Sequence, residues 1–291
     1  MNSQLQTNVQ PLLVCPECKG ALGFSPALIT CLSCELRFPQ PSKDYVDLFS
    51  SRLLEREVSH WLERQQGMEK WYGELLTEPW AGASLARDYD LYASIFASLS
   101  GTVLDIGGGA GLVRQYLAPE TGYVVLEPSL SWLAYECAPI AEQFPCVAAT
   151  PVFIRGLGEY LPFADQVFDA VLALWTINHV SQPEQVFCEV SRVLKPGGRF
   201  FAVLEDMEPT WADLLGGTLF NFSSRQVLEI LSWKLRCSLL RQQWPIAGDH
   251  IRTPEPEIQS WSAPYFTIIR RAWIGPYLTY EFQNRPVDNS A

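Results

Sequence analysis

An open, mostly parallel α/β sheet with a small metal-binding module ahead of it is the architecture this 291-residue sequence predicts. Two observations carry that reading. Residues 102–127 run as strand, glycine loop, helix, second strand and acid. Val103, Leu104 and Ile106 are the apolar run of a buried strand, Gly107, Gly109 and Gly111 allow a sharp turn, and Glu127 ends a second apolar run. Nearer the N-terminus, two Cys-x2-Cys knuckles, Cys15 with Cys18 and Cys31 with Cys34, stand twelve residues apart.

The first unit is half of a nucleotide-binding α/β fold, in which an acid about 20 residues beyond the glycines holds ribose hydroxyls. Asp105 stands just ahead of Gly107. An acid beside the glycine loop suits an ammonium better than a pyrophosphate. The run 104–111, Leu-Asp-Ile-Gly-Gly-Gly-Ala-Gly, resembles the first motif of class I S-adenosylmethionine-dependent methyltransferases. Residues 161–171 resemble that family's middle motif and 192–200 its third, in the expected order. The likeness spans residues 85–205 and lies nearest the group that includes the ubiquinone/menaquinone-biosynthesis methyltransferases.

The resemblance implies a Rossmann-like, seven-stranded domain over residues 101–285 that binds S-adenosylmethionine. Asp105, Gly107, Gly109 and Gly111 would hold the methionine end, Glu127 the ribose, and the loop at 156–160 the adenine. In that loop Leu157 stands where the family carries an aspartate. The adenine amino group must then find a backbone carbonyl or water, while the Gly158 amide donates to a ring nitrogen. Trp175 would pack on the methionine portion, and Leu130 and Trp132 near the adenine. His179 follows the fourth strand, 168–174, where the methyl group would be presented. It is the candidate general base, with an imidazole pKa suited to that work.

The two knuckles supply four thiolates, enough to close a tetrahedral zinc site. Residues 11–50 resemble a Trm112-like zinc ribbon, including Arg37-Phe38-Pro39 and the run 44–48. A structural zinc is expected: four cysteines leave no open position, and a module of ~40 residues cannot bury enough surface alone. Disulfides are the competing reading, and nothing marks the chain as secreted. Residues 1–10 read as a polar, disordered lead-in without a signal sequence, which predicts a cytoplasmic protein. Cys137, Cys146, Cys188 and Cys237 are scattered and expected to be buried.

Between the two units, residues 51–100 predict a helical cap and linker. Leu53, Leu54, Val58, Trp61 and Leu62 recur at helical spacing, and a second helix over 84–99 brings Tyr89 and Tyr92 towards the pocket. Residues 183–194 predict a helix with 195–198 as its exit turn, leading to a fifth strand over 199–204. The aromatic-rich insertion at 207–250 is longer than an ordinary link and predicts a lid. Residues 265–274 and 277–282, split by Gly275-Pro276, predict a closing hairpin.

Net charge is −11, and residues 1–50 carry three bases against four acids, which argues against a phosphate-binding surface. No apolar run reaches the ~20 residues of a membrane span. The expected function is methyl transfer from S-adenosylmethionine to the O, N or C atom of a small aromatic, quinone-like or otherwise apolar acceptor. One alternative is an rRNA or tRNA base methyltransferase that reads RNA through the ribbon. Another is a non-catalytic protein that binds S-adenosylmethionine, or a protein partner through the ribbon; Leu157 lends it support.

Overall fold

The computed structural model describes residues 9–40, 44–50, 59–133, 138–148, 152–217, 222–246 and 250–285. The apolar positions Leu53, Leu54 and Val58, and Cys137, lie outside these, as do the side chains of Trp61 and Leu62.

The N-terminal module folds as a three-stranded antiparallel sheet of β1 (Leu22–Phe24), β2 (Leu28–Cys31) and β3 (Arg37–Pro39), followed by β4 (Val46–Asp47). Lys19 and Glu35 take positive φ, 58° and 60°, where each knuckle turns back. Three helices follow: α1 (Ser59–Leu75), α2 (Ala81–Asp90) and α3 (Ala93–Ala97). The helix predicted over 84–99 is thus broken at Leu91–Tyr92. Then come β5 (Thr102–Ile106), β6 (Gly122–Leu126), α4 (Leu130–Leu133), α5 (Ala138–Gln143), β7 (Val152–Arg155), β8 (Phe168–Leu174), α6 (Pro183–Val193) and β9 (Leu194–Leu204). The insertion contributes α7 (Trp211–Leu215) and α8 (Ser224–Leu240), and the chain closes with α9 (Glu255–Ser262), β10 (Phe266–Ile274) and β11 (Tyr277–Asn284).

The main sheet has eight strands, not seven, in the order β10-β11-β9-β8-β5-β6-β7-β4. Strands β4 to β9 run parallel and β11 runs antiparallel to β9, as the predicted hairpin requires. The eighth strand is β4, which the N-terminal module lays along the edge of β7 with Val46 opposite Ile154 and Asp47 opposite Arg155. An open edge is thereby paired. The seam is apolar as well: Leu13, Cys15, Cys31, Phe38 and Val46 share one buried cluster with Ile154, Leu161 and Phe163. Lys19 pins it, its Nζ lying 2.7 Å from Glu189 Oε2 and donating to the Leu161 carbonyl at 3.1 Å. The module at 11–50 is therefore built into the larger core. Val9 is buried in the same cluster, so the lead-in becomes ordered earlier than its polarity suggests.

Three local expectations change for identifiable reasons. The helix after the glycine loop is a single 3₁₀ turn, Leu112–Gln115. Only residues 112–118 separate Gly111 from Pro119, and Arg114 ends the turn by donating to the Leu117 and Thr121 carbonyls at 2.9 and 2.7 Å. Residues 195–198 are a bulge inside β9, not a turn before it: Leu194 already pairs with Phe168, and regular pairing resumes at Arg199 with Ala170. Gly197, at φ 77°, makes the kink. Cys146, Cys188 and Cys237 are partly exposed, not buried.

Among the insertion's described residues, only His250, at its end, lines the central cavity; α7 and Lys234 of α8 instead line a separate hollow of about 660 Å³ with Trp244, Ile246 and residues 251–256. Arg271 on β10 ties this region down. Its guanidinium meets Asp213 of α7 and Glu255 of α9, each at 2.9 Å from Nη2, and both carboxyls are held below the usual range against the cost of their burial. Arg271→Ala leaves two acids facing each other and is expected to cost roughly 2–3 kcal/mol in urea unfolding.

Candidate active site

In open α/β sheets the ligand crevice opens where the strand order reverses, beyond the carboxyl ends of the strands. Here that point lies between β5 and β8. A cavity of about 740 Å³ opens there. Its walls come from the loops after β5, β6, β7, β8 and β9 and from α1 and α2.

The loop after β5 is shaped by contact on both sides. Gly107 and Gly109 line the cavity at φ 66° and 54°. A Cβ on Gly107 would fall 2.6 Å from Thr176 Oγ1, and one on Gly109 3.2 Å from the Trp132 ring. Thr176 cannot yield, because its hydroxyl binds the carbonyls of Ile106 and Leu174 at 2.9 and 3.0 Å. Gly111, at φ 74°, caps the 3₁₀ turn and lies outside the wall. Gly107→Ala adds both a clash and a left-handed strain of ~1 kcal/mol or more, and is expected to weaken S-adenosylhomocysteine binding at least tenfold by calorimetry.

Glu127 closes β6 from inside the cavity wall and is 4% exposed. Its Oε2 accepts from Gly109 N–H at 2.9 Å and its Oε1 from Ser129 N–H at 2.8 Å. Burial pushes this carboxyl up to about 7, although the two amides pull against it. Asp105 is fully buried beneath the loop and does not line the cavity. Gly108 lies directly on it, and Tyr123 Oη donates to its Oδ2 at 2.6 Å. Burial raises Asp105 to about 7 as well, against the tyrosine bond. The structure thus places Asp105 as a support for the glycine loop.

These two carboxyls set a pH dependence. Both lie above their unfolded values near 4, so the folded, ligand-free chain keeps protons that the unfolded chain releases between pH ~4 and ~7. That contribution to stability is present in full at acid pH and is lost as pH rises to about 7. Melting curves from pH 5 to 8 should show the decline, and Asp105→Asn should flatten it.

After β7, Leu157 and Gly158 line the cavity. Leu157 is buried against Phe49 and Tyr160. Phe49 follows β4, so the N-terminal module braces this loop. The acid here is Glu159, which lines the cavity while its Oε1 accepts from Ser181 N–H and Oγ at 2.8 and 2.9 Å. It ties the loop to the start of α6. After β8, Trp175 sits at φ 54° with its ring edge-on to Tyr89, Tyr92 and Tyr277. Its buried indole N–H has no hydrogen-bond partner among the described residues. Tyr89 and Trp132 line the cavity; Tyr92 lies behind, bonded to Thr279, and Leu130 stands outside.

Helix α1 covers one side through Gly67, Met68, Trp71, Tyr72 and Leu75. Glu69 fastens it: its carboxylate accepts from Leu130 N–H at 2.9 Å and from Ser131 N–H and Oγ at 3.0 and 2.7 Å. Despite partial burial, these donors hold Glu69 below the ordinary carboxylate range. Glu69→Gln should loosen α1 and weaken S-adenosylhomocysteine binding roughly tenfold, the scale of one charge-assisted bond.

His179 also lines the cavity, together with Glu205, Asp206 and His250. The rings of His179 and His250 are perpendicular with centroids 4.5 Å apart. His250 Nδ1 lies 2.7 Å from Asp206 Oδ2 and its Nε2 3.4 Å from Glu205 Oε2. Sequence reading picked out His179 but not its grouping with His250, which comes from the far end of the insertion.

The four N-terminal cysteines meet at one point. The Sγ atoms of Cys15 and Cys34 are 3.7 Å apart, those of Cys18 and Cys31 3.4 Å, and all four lie within 4.8 Å of one another. Thiolates bound tetrahedrally at ~2.3 Å stand about 3.8 Å apart, so the donor set fits zinc. Against its desolvation, the Cys34 and Ser33 amides lower the Cys31 thiol to about 7.

The fold and crevice define a Rossmann-like α/β protein with a cavity at the switch point. Residues 104–202, which span β5 to β9, match the family model described as a methyltransferase domain. The chain is 32% identical over 122 residues to the methyltransferase GfsG of Streptomyces halstedii, covering 42% of this chain and 44% of that one. It is 38% identical over 112 residues to the ubiquinone/menaquinone biosynthesis C-methyltransferase UbiE of Stutzerimonas stutzeri, covering 37% and 43%. The chain spans about half the length of the curated relatives it matches. Among solved structures, the PH0226 protein of Pyrococcus horikoshii OT3 aligns with a TM-score of 0.47 at 20% identity, covering 68% of this chain and 90% of that one. Residues 104–202 thus resemble a methyltransferase domain, and they supply the loops after β5, β6, β7 and β8 that line the cavity. No helix among the described residues is long and apolar enough to cross a membrane.

Proposed function

We propose that this chain transfers a methyl group from S-adenosylmethionine to a small, largely apolar acceptor. The observation that carries this is a single cavity lined by the glycine loop, Glu127, His179 and several aromatic side chains. The residues fit the group: two glycines whose Cβ positions are already filled, a buried carboxylate for a ribose diol, and a Trp175 N–H left to donate to a carboxylate. When bound, S-adenosylmethionine supplies a methyl group on a sulfonium, open to in-line displacement.

The chain's own work is alignment and exclusion of water. Glu127 and the glycine loop fix one end of the ligand. Leu157 and Gly158 form the adenine wall, and Trp175 packs on the methionine portion. Asp105 holds the loop from below. Trp71, Tyr72 and Leu75 of α1 shield the centre from solvent and offer the acceptor an apolar surface. His179 would take the acceptor's proton as the acceptor attacks. Cys15, Cys18, Cys31 and Cys34 hold a structural zinc remote from this chemistry. The ribbon's packed face is spent on the chain's own β7 and residues 161–164, which counts against its serving as a docking surface for RNA or a protein partner.

The test is release of S-adenosylhomocysteine and transfer of labelled methyl to a panel of phenols, quinols, amines and short RNA. Transfer to a small aromatic acceptor upholds the proposal. Transfer to RNA alone, or to nothing in the panel or in cell extract, overturns it.

A further inference from the structure

Two imidazoles and two carboxylates stand together in the otherwise aromatic end of the cavity, and alignment of a methyl acceptor does not by itself call for them. One ligand atom from each of His179, Glu205 and His250 lies within 4.8 Å of the other two. The measured His250–Glu205 separation, 3.4 Å, equals the spacing of about 3.4 Å between two ligand atoms held tetrahedrally at ~2.1 Å from one cation. Asp206 supplies the second requirement of such a site. It engages Nδ1 of His250 at 2.7 Å, which fixes the ring and directs Nε2 at Glu205. A carboxylate behind a ligating imidazole is the usual outer support of a metal site.

The scaffold is equally specific. Asn178 is 2% exposed and joins three parts of the chain. Its Nδ2 donates to the Glu205 carbonyl and to Thr253 Oγ1, both at 3.1 Å, and its own carbonyl accepts from Ile251 N–H at 2.7 Å. His179 adjoins Asn178 itself, Glu205 is the first of these partners, and His250 adjoins Ile251. The side-chain amide and the main-chain carbonyl of Asn178 together set the ends of β8 and β9 and the end of the insertion in register.

We propose that His179, Glu205 and His250 bind a divalent transition-metal cation, and that this cation takes an oxygen of the methyl acceptor. Two nitrogens and one carboxylate suit Zn²⁺, Mn²⁺ or Fe²⁺ better than Mg²⁺. Three protein ligands leave positions open, unlike the closed set of four cysteines. The acceptor class follows, and this part alone rests on the methyl-transfer reading. An apolar phenol or enol presents its oxygen to the cation, with its carbon skeleton in the cavity. With the cation bound, His179 serves as its ligand in place of the base role given above, and coordination acidifies the hydroxyl, whose proton passes to solvent. The oxygen lone pair then forms the O–CH₃ bond while the C–S bond breaks towards sulfur, leaving a neutral thioether.

The experiment uses the full chain with its cysteine site already loaded with zinc. MnCl₂ alone is titrated in and free Mn²⁺ is read by electron paramagnetic resonance, with S-adenosylhomocysteine binding measured on the same samples. One Mn²⁺ per chain is expected. Glu205→Gln and His250→Ala should each weaken it more than tenfold, and Asp206→Asn 10- to 100-fold, while all three keep S-adenosylhomocysteine affinity. No Mn²⁺ uptake, or uptake unchanged in both ligand variants, overturns the proposal. A chain that takes up Mn²⁺ in this variant-sensitive way but ignores S-adenosylhomocysteine upholds the cation site and refutes the methyl-transfer reading.

Discussion

Replacing Cys31 with serine is expected to strip the metal from the N-terminal module and lower the melting temperature by on the order of 10 °C. Cys31 is buried, and it lies in the same apolar cluster as Ile154 and Phe163 of the large domain. Loss of the metal therefore does more than release a tail. It frees β4 from β7, uncovers Leu161 and Phe163, and withdraws Phe49 from Leu157. With zinc held by the four cysteines, several kcal/mol of folding energy would rest on one ion. Zinc content and calorimetric melting of the variant and the parent check the result. Because Leu157 lines the cavity, S-adenosylhomocysteine affinity should fall in the same sample. A zinc-free variant that melts and binds as the parent does would show the module to be an appendage.

The second large effect is expected at Glu127. Glu127→Ala should weaken S-adenosylhomocysteine binding by about 100-fold, the scale of two charge-assisted hydrogen bonds to a diol in a buried setting. It also leaves the Gly109 and Ser129 amides without their acceptor, so the glycine loop loses its fixed position. The ligand-free variant should nonetheless gain stability at pH 8, since a buried carboxylate raised to about 7 is removed. Opposite signs for binding and stability in one variant are the mark of a site held ready at a cost to the fold. Calorimetric titration and melting at pH 8 read both.

Much of this was legible in the sequence because it is written in short spacings. The three glycines, Glu127 and the cysteine knuckles each depend on a local turn, and local turns leave a local signature. The alternation of apolar runs and helices likewise predicts the parallel sheet and its closing hairpin. What escaped depends on contacts between distant segments. The eighth strand is two residues long and gains meaning only beside β7. Glu69 is an ordinary acid on a helix until α4 presents its amides. His250 carries no motif, and Asn178 brings it to His179 from far along the chain. For the insertion, aromatic content marks a segment as packed but does not say against which face, and of its described residues only His250 lines the central cavity. Leu228, Leu235 and Leu239 of α8 are in fact exposed.

The central claim is that the cavity at the β5–β8 switch point binds S-adenosylmethionine. Calorimetric titration of the zinc-loaded chain with S-adenosylhomocysteine tests it most directly. One site per chain with micromolar affinity, weakened about 100-fold in Glu127→Ala, is the predicted result. A folded, zinc-loaded chain that takes up no S-adenosylhomocysteine at millimolar concentration would contradict it.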